Sequence, residues 1–226
     1  MNPALRHSAA HVFVDSLSAP VLADADAHHL LRVLRVRTTD VISVSDGRGQ
    51  WVPATLDSDG QVRVTGPVAD VVPLPSVTIG VAIPKGDRPE WIVQKLTELG
   101  VRTVAFMHCE RSVVQWEGER ASRQLDRLRR IAREAAMQCR SVWLPAVPDV
   151  QTFADLVTVG DVVVADPEGG PLRRGTGTVL IGPEGGFTDA ERAAGTARAS
   201  VSSQILRVET AAIAVAALLL SDPCDA

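Results

Sequence analysis

The sequence predicts an α/β domain with a mainly parallel sheet, preceded by a smaller β-rich domain. From Val12 to about Val72, short runs rich in strand-forming residues are separated by Asp-Gly turn signals. From Ser76 onward, apolar strand-like runs alternate with helical segments, which is typical of a parallel sheet with crossover helices. The stretch Val72-Pro-Leu-Pro75 stiffens the chain between these two parts, so we predict domains over residues 1–73 and 74–226.

The first domain is predicted to be a small barrel or sandwich. Its hairpin turns are predicted at Asp46-Gly47 and Asp59-Gly60, because Asp-Gly between β-rich runs favours a tight turn. One short helix is predicted over Asp26–Leu34. The strands are predicted at Val41–Val44, Trp51–Thr55 and Gln61–Thr65.

The second domain is predicted to begin with a strand at Val77–Ile83, whose continuous apolar run indicates burial on both faces. A capping box at Asp87–Glu90 and the glycine at Gly100 delimit a helix over Glu90–Leu99. A final helix is predicted from about Thr210 to Leu220. Further strands are predicted at Val101–Phe106, Asp161–Ala165, Val179–Ile181 and Ile205–Val208.

The composition is that of a globular protein of a reducing compartment. The chain has 226 residues, of which 46% are apolar and 22% charged, and its net charge is −4. Its three cysteines are widely spaced and form no CxxC pair, so we expect a reducing cytosol, no disulfide framework and no zinc site. His28 and His29 lack completing ligands, so no metal is expected. The amino terminus has no signal-like apolar stretch, and the longest apolar run, Ala211–Leu220, is short of the roughly 20 residues that span a bilayer. We therefore expect a cytoplasmic protein without a membrane segment.

The segment Val179–Phe187, Val-Leu-Ile-Gly-Pro-Glu-Gly-Gly-Phe, places three glycines between a predicted strand and a helix. Bare backbone before a helix often binds phosphate. Here the dinucleotide and P-loop patterns are absent, Glu184 lies within the loop, and a capping box at Thr188–Glu191 adds acids to the following turn. A neutral or cationic ligand therefore fits better than an anion. The alternative is that the glycines only make a tight turn.

A second segment, Ile205-Leu-Arg-Val-Glu-Thr-Ala211, places an arginine and a threonine between a predicted strand and an alanine-rich helix. Ligand sites of open α/β sheets lie at such strand ends. The sequence therefore predicts that this segment and the glycine loop form one pocket.

These two segments, Leu180–Phe187 and Ile205–Ala211, resemble the paired signature of the 16S ribosomal RNA uridine N3-methyltransferases, a family of the SPOUT superfamily. The resemblance covers nearly the whole chain and keeps the order of the family's motifs. The other matching stretches are His28–Arg35, Asp46-Gly47, Lys85–Trp91, Gln94–Gly100, Glu110–Val113, Glu134–Arg140 and Leu144-Pro145. One departure is Val201-Ser-Ser-Gln204, where the family usually carries a glycine-containing stretch.

The resemblance implies a PUA-like RNA-binding barrel in residues 1–73 and a SPOUT α/β domain with a trefoil knot in residues 74–226. It implies S-adenosyl-L-methionine as methyl donor and a uridine N3 in the 16S rRNA of the small ribosomal subunit as acceptor. It also implies a homodimer in which each cofactor pocket is completed near the subunit interface. Carried over by motif, the cofactor contacts are Ile181, Gly182, Gly186, Leu206, Thr210 and Ala211.

Two residues are candidates for the chemistry. Uridine N3 must lose its proton before it attacks, so the site needs a base or a charge that favours the anion. We hypothesise that the Arg207 guanidinium stabilises negative charge on a uracil oxygen; its alternative role is a helix-end salt bridge with Glu209. Glu184 is a candidate for the base or for a place near the sulfonium, and its alternative is to accept backbone amides inside the turn.

RNA binding by an acidic chain requires local basic surfaces. Residues 111–140 carry eight arginines against four acids, and Arg123, Arg127 and Arg130 share one face of a predicted amphipathic helix; a merely solvated face is the alternative. The predicted RNA contacts are Arg32, Arg35, Lys85, Arg88, Arg111 and Arg140.

Two other classes of function are weighed against a methyltransferase. A nonenzymatic rRNA-binding or ribosome-assembly factor would keep the basic surfaces but need no methyl donor. An oxidoreductase on a doubly wound sheet would need a dinucleotide fingerprint after its first strand, and Ile83-Pro-Lys-Gly-Asp-Arg88 does not supply one.

Overall fold

A computed structural model describes residues 2–73, 75–158 and 160–221. The chain divides into two compact units. The first comprises Met1–Pro73 together with Glu134–Leu144, and the second comprises Leu74–Arg133 and Pro145–Ala226. None of the helices within the described ranges is long and apolar enough to cross a membrane.

The first unit is built on a five-stranded sheet. Strand β1 (His11–Phe13) pairs in parallel with β2 (Ile42–Ser45), and β3 (Gln50–Leu56) pairs antiparallel with β2, with β4 (Val62–Val64) and with β5 (Ala69–Asp70). Two short helices, α1 (Pro3–Arg6) and α2 (Asp24–His28), precede and follow β1, and a π-helical turn over His29–Val33 continues α2. The two Asp-Gly turns occur as predicted, with positive φ at Gly47 and Gly60.

The segment Glu134–Leu144 belongs with this first unit through apolar and polar contacts. Val142 joins Leu5 and Trp51 in a buried cluster. The guanidinium of Arg140 donates to the Ser8 carbonyl at 2.8 Å. The single boundary predicted at residue 73 did not include this return of the chain to the first unit. The local sequence of the segment does not indicate which buried cluster its apolar side chains join.

The second unit contains a six-stranded parallel sheet in the order β11-β9-β10-β6-β7-β8. Five helices connect or follow its strands. The strands are β6 (Thr78–Ala82), β7 (Thr103–His108), β8 (Gln151–Thr152), β9 (Val162–Pro171), β10 (Thr178–Ile181) and β11 (Ala197–Ser200). The helices are α3 (Arg88–Glu98), α4 (Gly118–Cys139), α5 (Phe153–Val157), α6 (Asp189–Ala194) and α7 (Val208–Leu220).

Helix α7 buries an apolar face in the main core of this unit. Val208, Ala212, Val215, Ala216 and Leu219 are buried there, and α7 packs against α3, β6 and β10. The chain therefore returns from β11 at the sheet edge to the middle of the sheet. A knotted topology, as implied by the resemblance, requires such a return.

Two local predictions were wrong. Ile205–Val208 is not a strand, because its residues before Val208 are irregular. The strand at this edge of the sheet is β11, which contains no β-branched residue that would have predicted it, although its Ala199 is buried. The predicted capping box at Asp87 does not form, because the Asp87 side chain makes no cap hydrogen bond and Glu90 instead pairs with Arg127 at 2.9 Å. The capping box at Thr188 and Glu191 is confirmed.

Candidate active site

A cavity of about 370 Å³ opens at the carboxyl edge of the parallel sheet, where β10 and β11 end beside the middle of β9. Its volume lies at the small end of the range for ligand sites in proteins, about 300–1,000 Å³. Neighbouring parallel strands release their loops at one edge, which is where open α/β sheets bind ligands. The segments that line it are Ala165–Pro167 within β9, Ile181–Glu184, Gly186–Phe187, Ala199–Ser202 and Gln204–Val208, joined by the helix residues Arg192 and Ala211.

The two predicted segments meet at this cavity. Of the predicted cofactor contacts, Ile181, Gly182, Gly186, Leu206 and Ala211 line it. Both candidates for the chemistry, Glu184 and Arg207, line it as well. Thr210 is exposed in the first turn of α7 and is not among the lining residues.

The glycines of the first loop are required by its geometry. A Cβ at Gly182 would lie 2.9 Å from the Phe187 ring, closer than real side chains approach. Gly186 has a φ of 69°, a left-handed conformation that side chains with a Cβ rarely adopt. Its amide donates to the Pro183 carbonyl at 2.8 Å and closes the turn. Both positions leave bare backbone facing the cavity.

Two arginines fix the carbonyls of this loop. Arg111 donates to the Gly185 and Phe187 carbonyls at 3.1 and 3.4 Å, and Arg192 donates to the Phe187 carbonyl at 3.2 Å. Because these carbonyls are held from outside the loop, its amides keep a fixed direction. Arg111 was predicted to contact RNA; the structure places its guanidinium on the loop backbone.

Glu191 connects the loop after β7 to the start of α6. Its carboxylate accepts from the Thr188 amide at 2.8 Å and from the Glu110 amide at 2.9 Å. Burial, together with the nearby Glu191 charge, raises the pKa of the Cys109 thiol to about 12. This thiol is therefore neutral at physiological pH and unsuited to act as a nucleophile.

Arg88 joins the two halves of the site. Its guanidinium pairs with Glu184 of the glycine loop at 3.0 Å and with Glu209 in the first turn of α7 at 3.7 Å. The second carboxylate oxygen of Glu209 is buried and accepts no hydrogen bond from the described residues. Arg88, predicted to contact RNA phosphate, thus has two acidic partners within the protein.

Arg207 occupies the N-cap position of α7, lines the cavity and is exposed. The alternative considered for it, a salt bridge with Glu209, is absent, since Glu209 pairs with Arg88. Within the described ranges the Arg207 side chain makes no hydrogen bond or ion pair and does not cap α7, while its carbonyl accepts from the Ala211 amide at 2.8 Å. Its guanidinium is therefore available to a ligand, at the positive end of a 13-residue helix.

Asp166 is a lining residue that the sequence analysis did not select. Its side chain is buried, and it pairs with Arg198 at 3.1 Å and Arg192 at 3.9 Å. The only local signal was an acid directly after the apolar run that forms β9. Asp166 and Arg192 give one wall of the cavity a charge pair.

The other predicted RNA contacts are not among the lining residues of this cavity. Arg32 and Arg35 are exposed in the first unit, and Arg35 has a positive φ of 53°. Arg140 donates to backbone carbonyls of Ser8 and Gln138. Lys85 is exposed in the loop after β6. Among the residues that the structure describes, no group of three or more His, Cys, Asp or Glu side chains is placed to hold a metal ion.

The fold and cavity define an RNA methyltransferase, and comparison with known proteins supports that class. Residues 72–220 match the family model for an RNA methyltransferase domain, and residues 22–64 match that for an RNA methyltransferase PUA domain. The chain belongs to the ribosomal RNA small subunit methyltransferase E family. The resemblance stated from the sequence and the predicted fold class are thereby confirmed.

The relatives match over most of their length. The chain is 32% identical to ribosomal RNA small subunit methyltransferase E of Bacillus subtilis, covering 82% of this chain and 83% of the relative. It is 33% identical to the protein of the same name from Synechocystis, covering 84% and 69%. A crystal structure of the Neisseria gonorrhoeae enzyme of that name, bound to S-adenosyl methionine, is 25% identical with a TM-score of 0.80 and covers 94% of this chain and 96% of that one.

Proposed function

We propose that this protein transfers a methyl group from S-adenosyl-L-methionine to N3 of a uridine in the 16S rRNA of the small ribosomal subunit. The observation that carries the proposal is the glycine-lined cavity at the carboxyl edge of the sheet, with the unpaired Arg207 guanidinium on its rim. Membership of the ribosomal RNA small subunit methyltransferase E family and the relative bound to S-adenosyl methionine support the donor and the RNA class.

The residues of the cavity fit this cofactor. Bare backbone at Gly182 and Gly186 lets a flat purine approach main-chain amides and carbonyls, and Leu206 and Ala211 offer apolar walls. The cofactor, when bound, supplies an electrophilic methyl group on a positively charged sulfur. The lining carries two carboxylates, Glu184 and Asp166, and two arginines, Arg192 and Arg207, so its formal charge is balanced. The fit to the cofactor therefore rests on the bare backbone and the apolar walls and not on net charge.

Arg207 would act on the acceptor base. Loss of the N3 proton to solvent leaves negative charge on the uracil oxygens, and the exposed Arg207 guanidinium on the cavity lining stabilises that charge. The positive end of α7 adds to this field. The attacking nitrogen is thereby activated while the cavity orients the methyl group towards it.

Glu184 would act through Arg88 and not as the base, because its carboxylate already pairs with that guanidinium at 3.0 Å. We expect Glu184→Gln to leave the shape of the pH dependence of kcat unchanged and to lower kcat/KM by about tenfold or less, as for loss of a partly exposed charge-assisted contact. Single-turnover methylation between pH 6 and 9 measures it. Loss of one limb of the profile would instead identify Glu184 as the base.

A double-mutant cycle checks the same contact. Arg88→Met alone removes the ion pairs with both Glu184 and Glu209, so it should lower kcat/KM more than Glu184→Gln does. The loss in kcat/KM for the combined variant, expressed as free energy, should be smaller than the sum of the two single losses, because both single changes remove the same ion pair. Additive costs would show that Arg88 and Glu184 act separately.

The first unit would bind the RNA. The PUA-domain match covers the stretch that contains Arg32 and Arg35, both exposed. We also infer a homodimer and a cytoplasmic location. A second subunit is supported by Ile205, which lines the cavity although 91% of its side chain is exposed, so a partner surface would cover it and complete the site.

Calorimetry with S-adenosyl-L-methionine and nucleoside mapping test the proposed function together. The protein is expected to bind the donor, and 16S rRNA from cells lacking it is expected to lose one N3-methyluridine. A nonenzymatic assembly factor would bind the RNA but not the donor, and no modified nucleoside would depend on it.

A further inference from the structure

A second, smaller depression lies at the same edge of the parallel sheet. Its volume is about 170 Å³. Three parts of the second unit form it: the loop after β6, the segment after β7 and the first turns of α4. The lining residues are Pro84, Lys85, Gly86, Val114, Trp116, Arg120 and Gln124. We call this set the basic groove.

The charge of the basic groove is one-sided. Lys85 and Arg120 contribute two cations, Gln124 contributes an amide, and no carboxylate is among the lining residues. Arg120 and Gln124 lie four residues apart and therefore on one face of α4. The groove also lies at the amino-terminal end of α4, whose dipole favours an anion.

The two cations of the groove have no acidic partner. Within the described part of the chain, the side chains of Lys85 and Arg120 make no hydrogen bond or salt bridge. Other arginines of α4 behave differently: Arg123 pairs with Glu119, Arg127 with Glu90, and Arg129 with Asp126 and Asp149. Unpaired cations facing one depression are positioned for a ligand that supplies the negative charge.

The groove adjoins the cofactor cavity. Strands β6 and β10 are parallel neighbours, with Val81 opposite Ile181, so their loops leave the sheet side by side. The contact between Arg88 and Glu184 links those two loops at 3.0 Å. An RNA strand that delivers a base to the cavity therefore passes the groove along the same edge.

We propose that the basic groove binds a backbone phosphate of the RNA strand flanking the methylated nucleotide, through Lys85, Arg120 and Gln124. This rests on the proposed function, because the ligand is its RNA substrate. The groove is smaller than the roughly 300 Å³ at which small-molecule sites begin, so it suits a phosphate group and not a whole nucleotide. Trp116 is buried beneath it and gives a rigid floor, not a stacking surface.

The test compares Arg120→Gln with Arg123→Gln, two charge-removing changes one turn apart on exposed parts of α4. Binding of each variant to purified bacterial small ribosomal subunits is measured between about 50 and 200 mM salt. Arg120→Gln is expected to lower the slope of log affinity against log salt by about 0.7–0.9, the value for one phosphate contact. Adding Lys85→Gln should lower it by about the same amount again. Arg123→Gln should leave it unchanged, because Arg123 pairs with Glu119 and we assign its face of α4 the solvated alternative and not RNA contact.

Two results would overturn the proposal, and they are distinguishable. If Arg120→Gln matched Arg123→Gln while the wild-type protein bound subunits and the methyl donor, the groove would not hold phosphate and the proposed function would stand. If the wild-type protein bound neither, the proposed function would fail and the groove with it. Unchanged affinity for S-adenosyl-L-methionine in every variant confirms that the changes leave the cofactor cavity intact.

Discussion

Arg207→Ala is expected to lower kcat for RNA methylation by about 10²–10³-fold, the typical cost of removing one hydrogen-bond donor from a developing negative charge. The residue lines the cavity, and its side chain makes no hydrogen bond or ion pair with the described residues that would hold it elsewhere. Because it acts on the acceptor base, binding of S-adenosyl-L-methionine should change little. Single-turnover kinetics with small ribosomal subunits, together with calorimetry of donor binding, measure both effects.

The pattern of kinetic constants separates the possible roles of Arg207. Arg207→Lys keeps the charge but loses the planar fork, so an intermediate kcat is expected. Arg123→Ala provides a matched control, since that arginine is exposed and its one ion pair among the described residues is with Glu119. Wild-type turnover in Arg207→Ala would remove the residue from the mechanism, and a rise in KM with unchanged kcat would reassign it to ground-state RNA binding.

The sequence located the cavity because its two main segments carry local signals. A glycine cluster between a strand and a capped helix can be recognised from the sequence alone, and so can the arginine before the last helix. The wall of the cavity formed by Asp166 and Arg192 was not predicted, because these residues come from β9 and α6. Whether their side chains come into contact depends on the pairing of β9 with β10 and β11. Strand order in a parallel sheet is a tertiary property that spacing does not encode.

Ion pairs were the least predictable part of the site. Arg88 was selected as a phosphate contact from its motif, yet it pairs with residues 96 and 121 positions further along the chain, Glu184 and Glu209. The apolar run at Ile205 was taken for a strand because β-branched residues favour one. No neighbouring strand is available to it, and Ile205 is instead left on the exposed rim of the cavity.

Gly186→Val is expected to weaken binding of S-adenosyl-L-methionine by about 10–100-fold. Gly186 has a φ of 69° with open space around its Cβ position, so the cost is conformational and not a clash. Holding a β-branched residue there costs about 1–3 kcal/mol, and relief of that strain turns the backbone groups that line the cavity. At 1.4 kcal/mol for each tenfold change, this strain corresponds to roughly the expected loss.

Gly175→Val is the matched control for this prediction. Gly175 also has a positive φ, 86°, and also has open space at its Cβ position, but it does not line the cavity. Both variants should therefore lose similar thermal stability, while only Gly186→Val loses affinity for the donor. Wild-type donor affinity in Gly186→Val would show that the conformation of the glycine loop does not determine cofactor binding. A loss shared by both would instead trace the effect to global destabilisation, because the only feature that the two sites share is the strained backbone.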